Sequence, residues 1–258
     1  MDLAGIGLTI VVLLGSLFTS ERNRFIGRLL LGFSIVLLGV EILTRDSLIP
    51  INSHETQLTI AFLLSVVSFA CGFFPAGRIL SLTLIGMSAA FVLLAAFVQS
   101  ESDALSPPWI WTHITLMILG EVAFMVSASL ALMYLVLDRG LRGNHGHSSF
   151  WLRLPSLNDL NRYLGEMLGA GFFLLTAGMM LGFIFAQKYW ESNWVLDPKV
   201  LLCLLTWVVY ALILILRRVS LRYHGRTTAI LALLGFVSVI LLTWGMDLLL
   251  PSQHHLGN

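Results

Sequence analysis

Histidine is the side chain in this chain best suited to hold a metal, and the placement of the seven histidines is informative. His113 follows Pro107-Pro108-Trp109-Ile110-Trp111 at the start of a long apolar run, and His254 and His255 follow the last such run. His54, His145, His147 and His224 fall in other polar gaps, so none lies in the middle of an apolar stretch. Two neutral imidazoles approaching one iron from opposite sides make a six-coordinate heme. Between two further apolar runs lies the polar loop Trp190-Glu191-Ser192-Asn193-Trp194-Val195-Leu196-Asp197-Pro198-Lys199, whose two indoles suit a flat macrocycle. A plainer reading uses the same residues, because indoles and imidazoles gather at headgroup depth without any ligand. On residue types alone both readings stand.

Carboxylates form the second group. Glu121 lies eight residues past His113 in the same apolar run, about 12 Å along a helix axis. Ionisable groups at that depth are expensive; Glu121 is either functional, as a proton relay, a partner for a cation or a hydrogen-bond donor to a cofactor pocket, or a protonated acid bonded to a neighbouring carbonyl or serine. Asp247 stands seven residues before His254. It shares that histidine's face if the helix continues past Pro251, and would then orient the imidazole; otherwise it ends the helix near water. Glu41 and Asp46 either are solvated or line the same vestibule. His255 replaces His254 as the ligand if the tail shifts by one residue.

What must position these groups is a bundle of membrane helices. Hydrophobic residues make up 57% of the chain and charged ones 11%, which excludes an ordinary soluble globule. A span takes about 20 apolar residues, and eight runs qualify: 3–19, 25–44, 57–75, 78–98, 111–137, 165–186, 200–216 and 227–250. The expected fold is an all-α polytopic bundle of eight transmembrane helices. The first run lacks a basic segment before it and a small-residue cleavage site after it, so it reads as a retained span rather than a signal peptide. Twelve arginines, among them Arg22, Arg28, Arg78, Arg142, Arg162 and Arg217, fall on one side, against Arg45, Lys188 and Lys199 on the other. The positive-inside bias then puts both termini, His113, the tryptophan loop and His254 on the outer side.

Residues 1–258 read as a single transmembrane domain, with four spans in 1–100 and a core in 107–258 that carries the motifs. The longest cytoplasmic piece, from Asp138 to about Leu164, contains Pro155-Ser156-Leu157-Asn158-Asp159-Leu160, an N-cap followed by an acid at the third helical position. It starts either a short interfacial helix or a bent beginning of the sixth span. Cys71 and Cys203 sit inside spans, with no CxxC pattern, and read as small apolar residues. No nucleotide fingerprint, zinc motif or nucleophile elbow is visible. The cluster Arg217, Arg218, Arg222 and Arg226 suits the cytoplasmic surface of a membrane rather than nucleic acid.

A resemblance sharpens this reading. Trp109-Ile-Trp-Thr-His113 through Gly120, Pro155-Ser-Leu, Gly169-Ala-Gly-Phe-Phe173 through Gln187, Trp190…Trp194…Asp197-Pro-Lys199 and Gly245-Met-Asp-Leu-Leu-Leu-Pro251…His254 resemble, in that order, the heme-handling cytochrome c assembly family of CcsA type. The match covers about the C-terminal 150 residues, and the eight-span length is similar to its shorter HemX-type members. The resemblance implies that Trp190, Trp194 and Asp197 belong to a heme-holding outer loop, with His113 and His254 as the axial ligands. The chain departs from the family pattern at Leu196, where another tryptophan is usual, and at Glu191, Val200 and Ile215. Glu121 is not part of that pattern.

Three functions follow as expectations. The first is a heme chaperone or assembly factor, rather than a stand-alone enzyme, presenting heme at the outer face of a bacterial-type inner membrane. Its partners would be the lipid bilayer, an assembly partner membrane protein and apocytochrome c, with no nucleic acid. The second is a HemX-type regulator or scaffold of heme biosynthesis that binds no heme and acts through the cytoplasmic loops. The third is a transporter or an accessory subunit of a respiratory complex, which no inverted repeat or broken helix pair supports.

Overall fold

The computed structural model describes residues 3–45, 50, 52–74, 77–97, 108–142, 155–189, 194–219 and 225–245. Among them the chain is helical: α1 (Leu3–Arg22), α2 (Arg24–Leu43), α3 (Ser53–Gly72), α4 (Arg78–Ala95), α5 (Pro108–Arg142), α6 (Leu157–Tyr189), α7 (Pro198–Val219) and α8 (Arg226–Ile240). The last continues as a π-helical turn, Leu241–Gly245. Seven helices, α2 to α8, are long and apolar enough to cross a membrane, and α1 contributes the shorter apolar stretch Gly5–Leu17. This is the architecture that hydrocarbon demands, since a helix satisfies its backbone N–H and C=O groups within its own segment. The helices group into two compact units, Met1–Asp103 and Ala104–Asn258.

In the first unit α1 packs on α2 and α4, and α3 on α2 and α4. Its centre is filled by fully buried Leu13, Leu38, Leu58, Leu64, Leu84 and Val92. Buried hydroxyls find partners across the helix contact, Ser65 with Ser88 and Ser68 with Ser81, each at 2.8 Å. At one end of the unit Asn52 caps α3 by accepting the N–H of Glu55 at 2.8 Å, and His54 Nδ1–H donates to the Ala95 carbonyl at the end of α4 at 2.8 Å. Here burial pulls the Arg45 guanidinium below its ordinary value, with Glu55 and then Glu41 opposing that shift. Glu41 therefore acts on Arg45 within this unit, while Asp46 lies outside the described residues.

In the second unit α5 is the most buried span and packs on α6 and α8, while α7 packs on α6 and α8. α5 and α6, at 35 and 33 residues, run about 50 Å, well beyond a hydrocarbon core of about 30 Å. The added length of α6 lies mostly at its start. The Asp159 N–H donates to Ser156 Oγ at 3.1 Å, and the Ser156 hydroxyl donates to the Asp159 carboxylate at 2.7 Å. The helix then continues unbroken into the span, so the cap read from Ser156 and Asp159 opens α6 itself rather than a separate interfacial helix.

A polar corner ties all four helices together at that end. Arg217 of α7 donates to the Asn161 side-chain oxygen at 2.9 Å and to its backbone carbonyl at 2.6 Å, and the Gly225 N–H reaches the same side-chain oxygen at 3.1 Å. Gly225, with φ at 68°, precedes α8 so closely packed on Tyr134 that a Cβ would lie 2.5 Å from its hydroxyl. Asp138 accepts from Arg142 at 3.0 and 3.1 Å and faces Arg226 at 3.9 Å. Asn161→Ala should therefore destabilise the protein by about 2–3 kcal/mol, since it removes the side-chain oxygen shared by Arg217 and the Gly225 N–H and leaves the guanidinium only the backbone carbonyl, against about 1 kcal/mol for the exposed cap change Ser156→Ala. Thermal unfolding in detergent checks this order; equal shifts would mean that Asn161 is not the tie.

Candidate functional site

The site is built on a seam of small residues between α5 and α6. A Cβ on Gly120 of α5 would meet the Leu175 nitrogen at 3.2 Å and the Gly171 carbonyl oxygen at 3.3 Å, so the two backbones touch directly. On α6, a Cβ at Gly171 would lie 2.7 Å from the Phe124 ring, and one at Gly178 would lie 2.8 Å from the Met117 sulfur. Gly171, Gly178 and Gly182 follow one another at seven and four residues, which keeps them on one face of the helix. Small residues at this spacing let membrane helices approach closely without a hydrophobic driving force.

At the open end of that seam sits His113. Pro108 begins α5, where its fixed φ and missing N–H do no harm. His113, five residues on, turns its half-buried ring onto α6. Its Nδ1 lies 2.7 Å from the Gly178 carbonyl. A carbonyl only accepts, so Nδ1 carries the proton, and in the neutral ring Nε2 is the nitrogen with the lone pair that a metal takes. The same ring edge lies over Gly182, where a Cβ would stand 2.6 Å from Cε1, 3.0 Å from Nδ1 and 3.4 Å from Nε2. Gly182 thus supplies the notch in which the imidazole sits. Two residues earlier, the Trp111 indole nitrogen is buried without a hydrogen-bond partner among the described residues, a donor that would suit an anionic group.

Deeper in the unit the contacts are aromatic and acidic. Phe124 of α5 stacks on Tyr210 of α7 with centroids 3.6 Å apart, and the Tyr210 ring rests on Gly235 of α8, whose Cβ would lie 3.2 Å from it. Glu121 is buried one turn above Phe124. α6 and α7 are joined by the Trp207 indole N–H donating to Thr176 at 2.9 Å, and by Phe172 packed against the Trp207 ring.

Asp197 has a local role of its own. The loop ends in a 3-10 turn, Trp194–Leu196, and buried Asp197 then accepts the Lys199 N–H at 2.8 Å, capping α7, with Pro198 in its first turn. Val195 and Leu196 are exposed. Trp190, Asp247, His254 and His255 lie outside the described residues. Among the described residues no three His, Cys, Asp or Glu side chains converge as a metal site. The starts of α5 and α7, the end of α6 and the π-helical end of α8 lie at the end of the unit opposite the Asn161 corner. This follows from His113 reaching Gly178 and Thr206 reaching the Ser238 carbonyl at 3.4 Å there, while Arg217 reaches Asn161 at the other end. Residue type singled out His113, and family resemblance Asp197; neither singled out Gly178 and Gly182, although Gly178-Met-Met-Leu-Gly182 is a readable small-residue spacing.

Fold and seam together define a polytopic all-helical membrane protein that holds one orientated imidazole near the end of its helix bundle. The model of the family described as Cytochrome C assembly protein matches residues 6–254, and the chain belongs to that family. Curated relatives include the cytochrome c biogenesis protein CcsA of Synechococcus elongatus, 27% identical over 254 residues, covering 80% of this chain and 78% of the relative. The CcsA proteins of Guillardia theta and Chlamydomonas reinhardtii are 32% and 30% identical, each across 60% of this chain; the matches span 56% and 42% of those relatives.

Gly182→Ala should push the His113 ring off Gly178. In protein labelled with 15N-histidine, wild type is expected to show His113 protonated at Nδ1 and hydrogen-bonded, and the variant to lose that signature. Gly169→Ala, where a Cβ meets nothing within 4 Å, should leave it intact. An unchanged His113 signal in Gly182→Ala would refute the notch.

Proposed function

We propose that this chain is a membrane-embedded cytochrome c assembly factor that holds heme at the end of the bundle bearing His113, with His113 and His254 as its axial ligands. The observation that carries the proposal is the His113 ring itself, held through Nδ1 by the Gly178 carbonyl and seated in the Gly182 notch. A backbone acceptor on the far nitrogen is the arrangement that orients a metal-ligating histidine and raises its basicity. The donor set fits heme: a neutral imidazole, a buried indole N–H at Trp111, and a loop whose end is fixed by the Asp197 cap. When bound, heme supplies the iron that these imidazoles would hold.

The loop residues Trp190 and Trp194 form the aromatic platform in this reading. Asp197 contributes by setting where that loop enters α7. His255 is the alternative ligand, Asp247 an acceptor behind His254, and Glu121 a buried acid behind the pocket. The outer placement of this end, and of both termini, rests on the arginine asymmetry. Apocytochrome c and a partner membrane protein are the proposed recipients in an inner membrane of bacterial type. The named relatives are cytochrome c biogenesis proteins, which favours assembly over the regulatory, heme-free reading.

Protein purified in detergent from cells with ample heme is expected to show a Soret band. The band should weaken at least several-fold in His113→Ala or His254→Ala and vanish in the double variant, while Ser156→Ala keeps it. A colourless wild-type protein, or a band indifferent to both histidines, would overturn the assignment.

A further inference from the structure

The first unit holds a site of different chemistry. Where α1 ends, α2 begins, α3 ends and α4 begins, a cavity of about 90 Å³ opens among Ser16, Arg28, Gly72, Phe73, Arg78 and Ser81. Among the described residues that line it are two guanidinium side chains and no carboxylate. Arg28 is held in place: it donates to the Gly72 carbonyl at 2.7 Å, and its guanidinium carbon stands 5.0 Å from the centroid of the Phe73 ring. Among the described residues it has no acidic partner. The same cavity receives the start of α4, whose cap residue, Gly77, has no side chain with which to satisfy the first-turn N–H groups. First-turn N–H groups at that point carry the positive end of the helix dipole. Phe73 and Phe74, 57% and 68% exposed, flank the opening, apolar rings that suit acyl chains better than water.

We infer that this cavity binds the phosphodiester of an anionic phospholipid, gripped by Arg28 and Arg78 at the start of α4. Paired guanidinium groups recognise phosphate oxygens through directed hydrogen bonds. The depth argues for lipid over a free anion, because these are the ends of apolar helices and the rim is aromatic. Under the positive-inside bias they face the cytoplasmic leaflet, where anionic lipids concentrate. The site is independent of His113 and of heme.

Native mass spectrometry of the full chain released from nanodiscs tests it. With phosphatidylglycerol and phosphatidylcholine in equal amounts, wild type should retain one phosphatidylglycerol in roughly tenfold preference. Arg28→Gln or Arg78→Gln should cut that preference at least threefold, whereas Arg162→Gln, an exposed arginine outside the cavity, should not. Arg28 also satisfies the end of α3, so Arg78→Gln is the variant to compare if Arg28→Gln fails to fold. Preference equal to wild type in Arg78→Gln, or lost equally in Arg162→Gln, would overturn the site. Inorganic phosphate added to phosphatidylcholine nanodiscs is expected not to bind; binding there, lost in Arg78→Gln, would overturn the lipid assignment in favour of a free anion.

Discussion

The second unit depends on the backbone contact between α5 and α6. Gly120 and Gly171 bring main chain against main chain, so that a Cβ on Gly120 would press on the α6 backbone at 3.2 Å and one on Gly171 would strike the Phe124 ring at 2.7 Å. In hydrocarbon such closeness replaces the hydrophobic effect as the source of helix association, since dispersion and weak polar contacts grow as backbones approach. Once the helices touch there, the Gly178 carbonyl and the Gly182 notch come within reach of the His113 ring. A side chain at any of these glycines would separate the helices or turn the imidazole. The orientation of the imidazole is thus set by glycines that carry no side chain of their own.

The ends of the bundle are organised differently because they meet water. At one end Asn161, Arg217, Gly225, Asp138 and Arg226 form a set of charge-assisted contacts joining four helices. At the other, α7 is capped by Asp197 and α5 starts on a proline. Polar ties between helices thus hold the arginine-rich end, and short caps begin the helices at the histidine end.

Much of this was legible in the sequence, for identifiable reasons. Apolar runs bounded by charge marked the helices, because lipid leaves no other way to satisfy the backbone. The Ser156 and Asp159 cap was equally readable, since it depends on two side chains three residues apart. α5 and α6 run past the expected spans, to Arg142 and from Leu157, because helix hydrogen bonding does not stop where the hydrocarbon does. The residue that orients His113 was hidden, because its acceptor is a carbonyl that any residue would offer. Asp197 stood out through family resemblance as a loop residue, yet Asp-Pro-Lys is itself a helix-start signal, and that is the role its hydrogen bond displays. The Arg28 cavity could not be read at all, for it joins four helix ends distant in sequence.

The central claim is that the glycine seam presents His113 to an iron. Electron paramagnetic resonance of the purified protein loaded with ferric heme tests it most directly. Wild type and Gly169→Ala should give the low-spin signal of two imidazole ligands, and Gly182→Ala should convert most of it to high spin. A low-spin signal that survives unchanged in Gly182→Ala, or a wild-type signal that is high-spin throughout, would contradict the account.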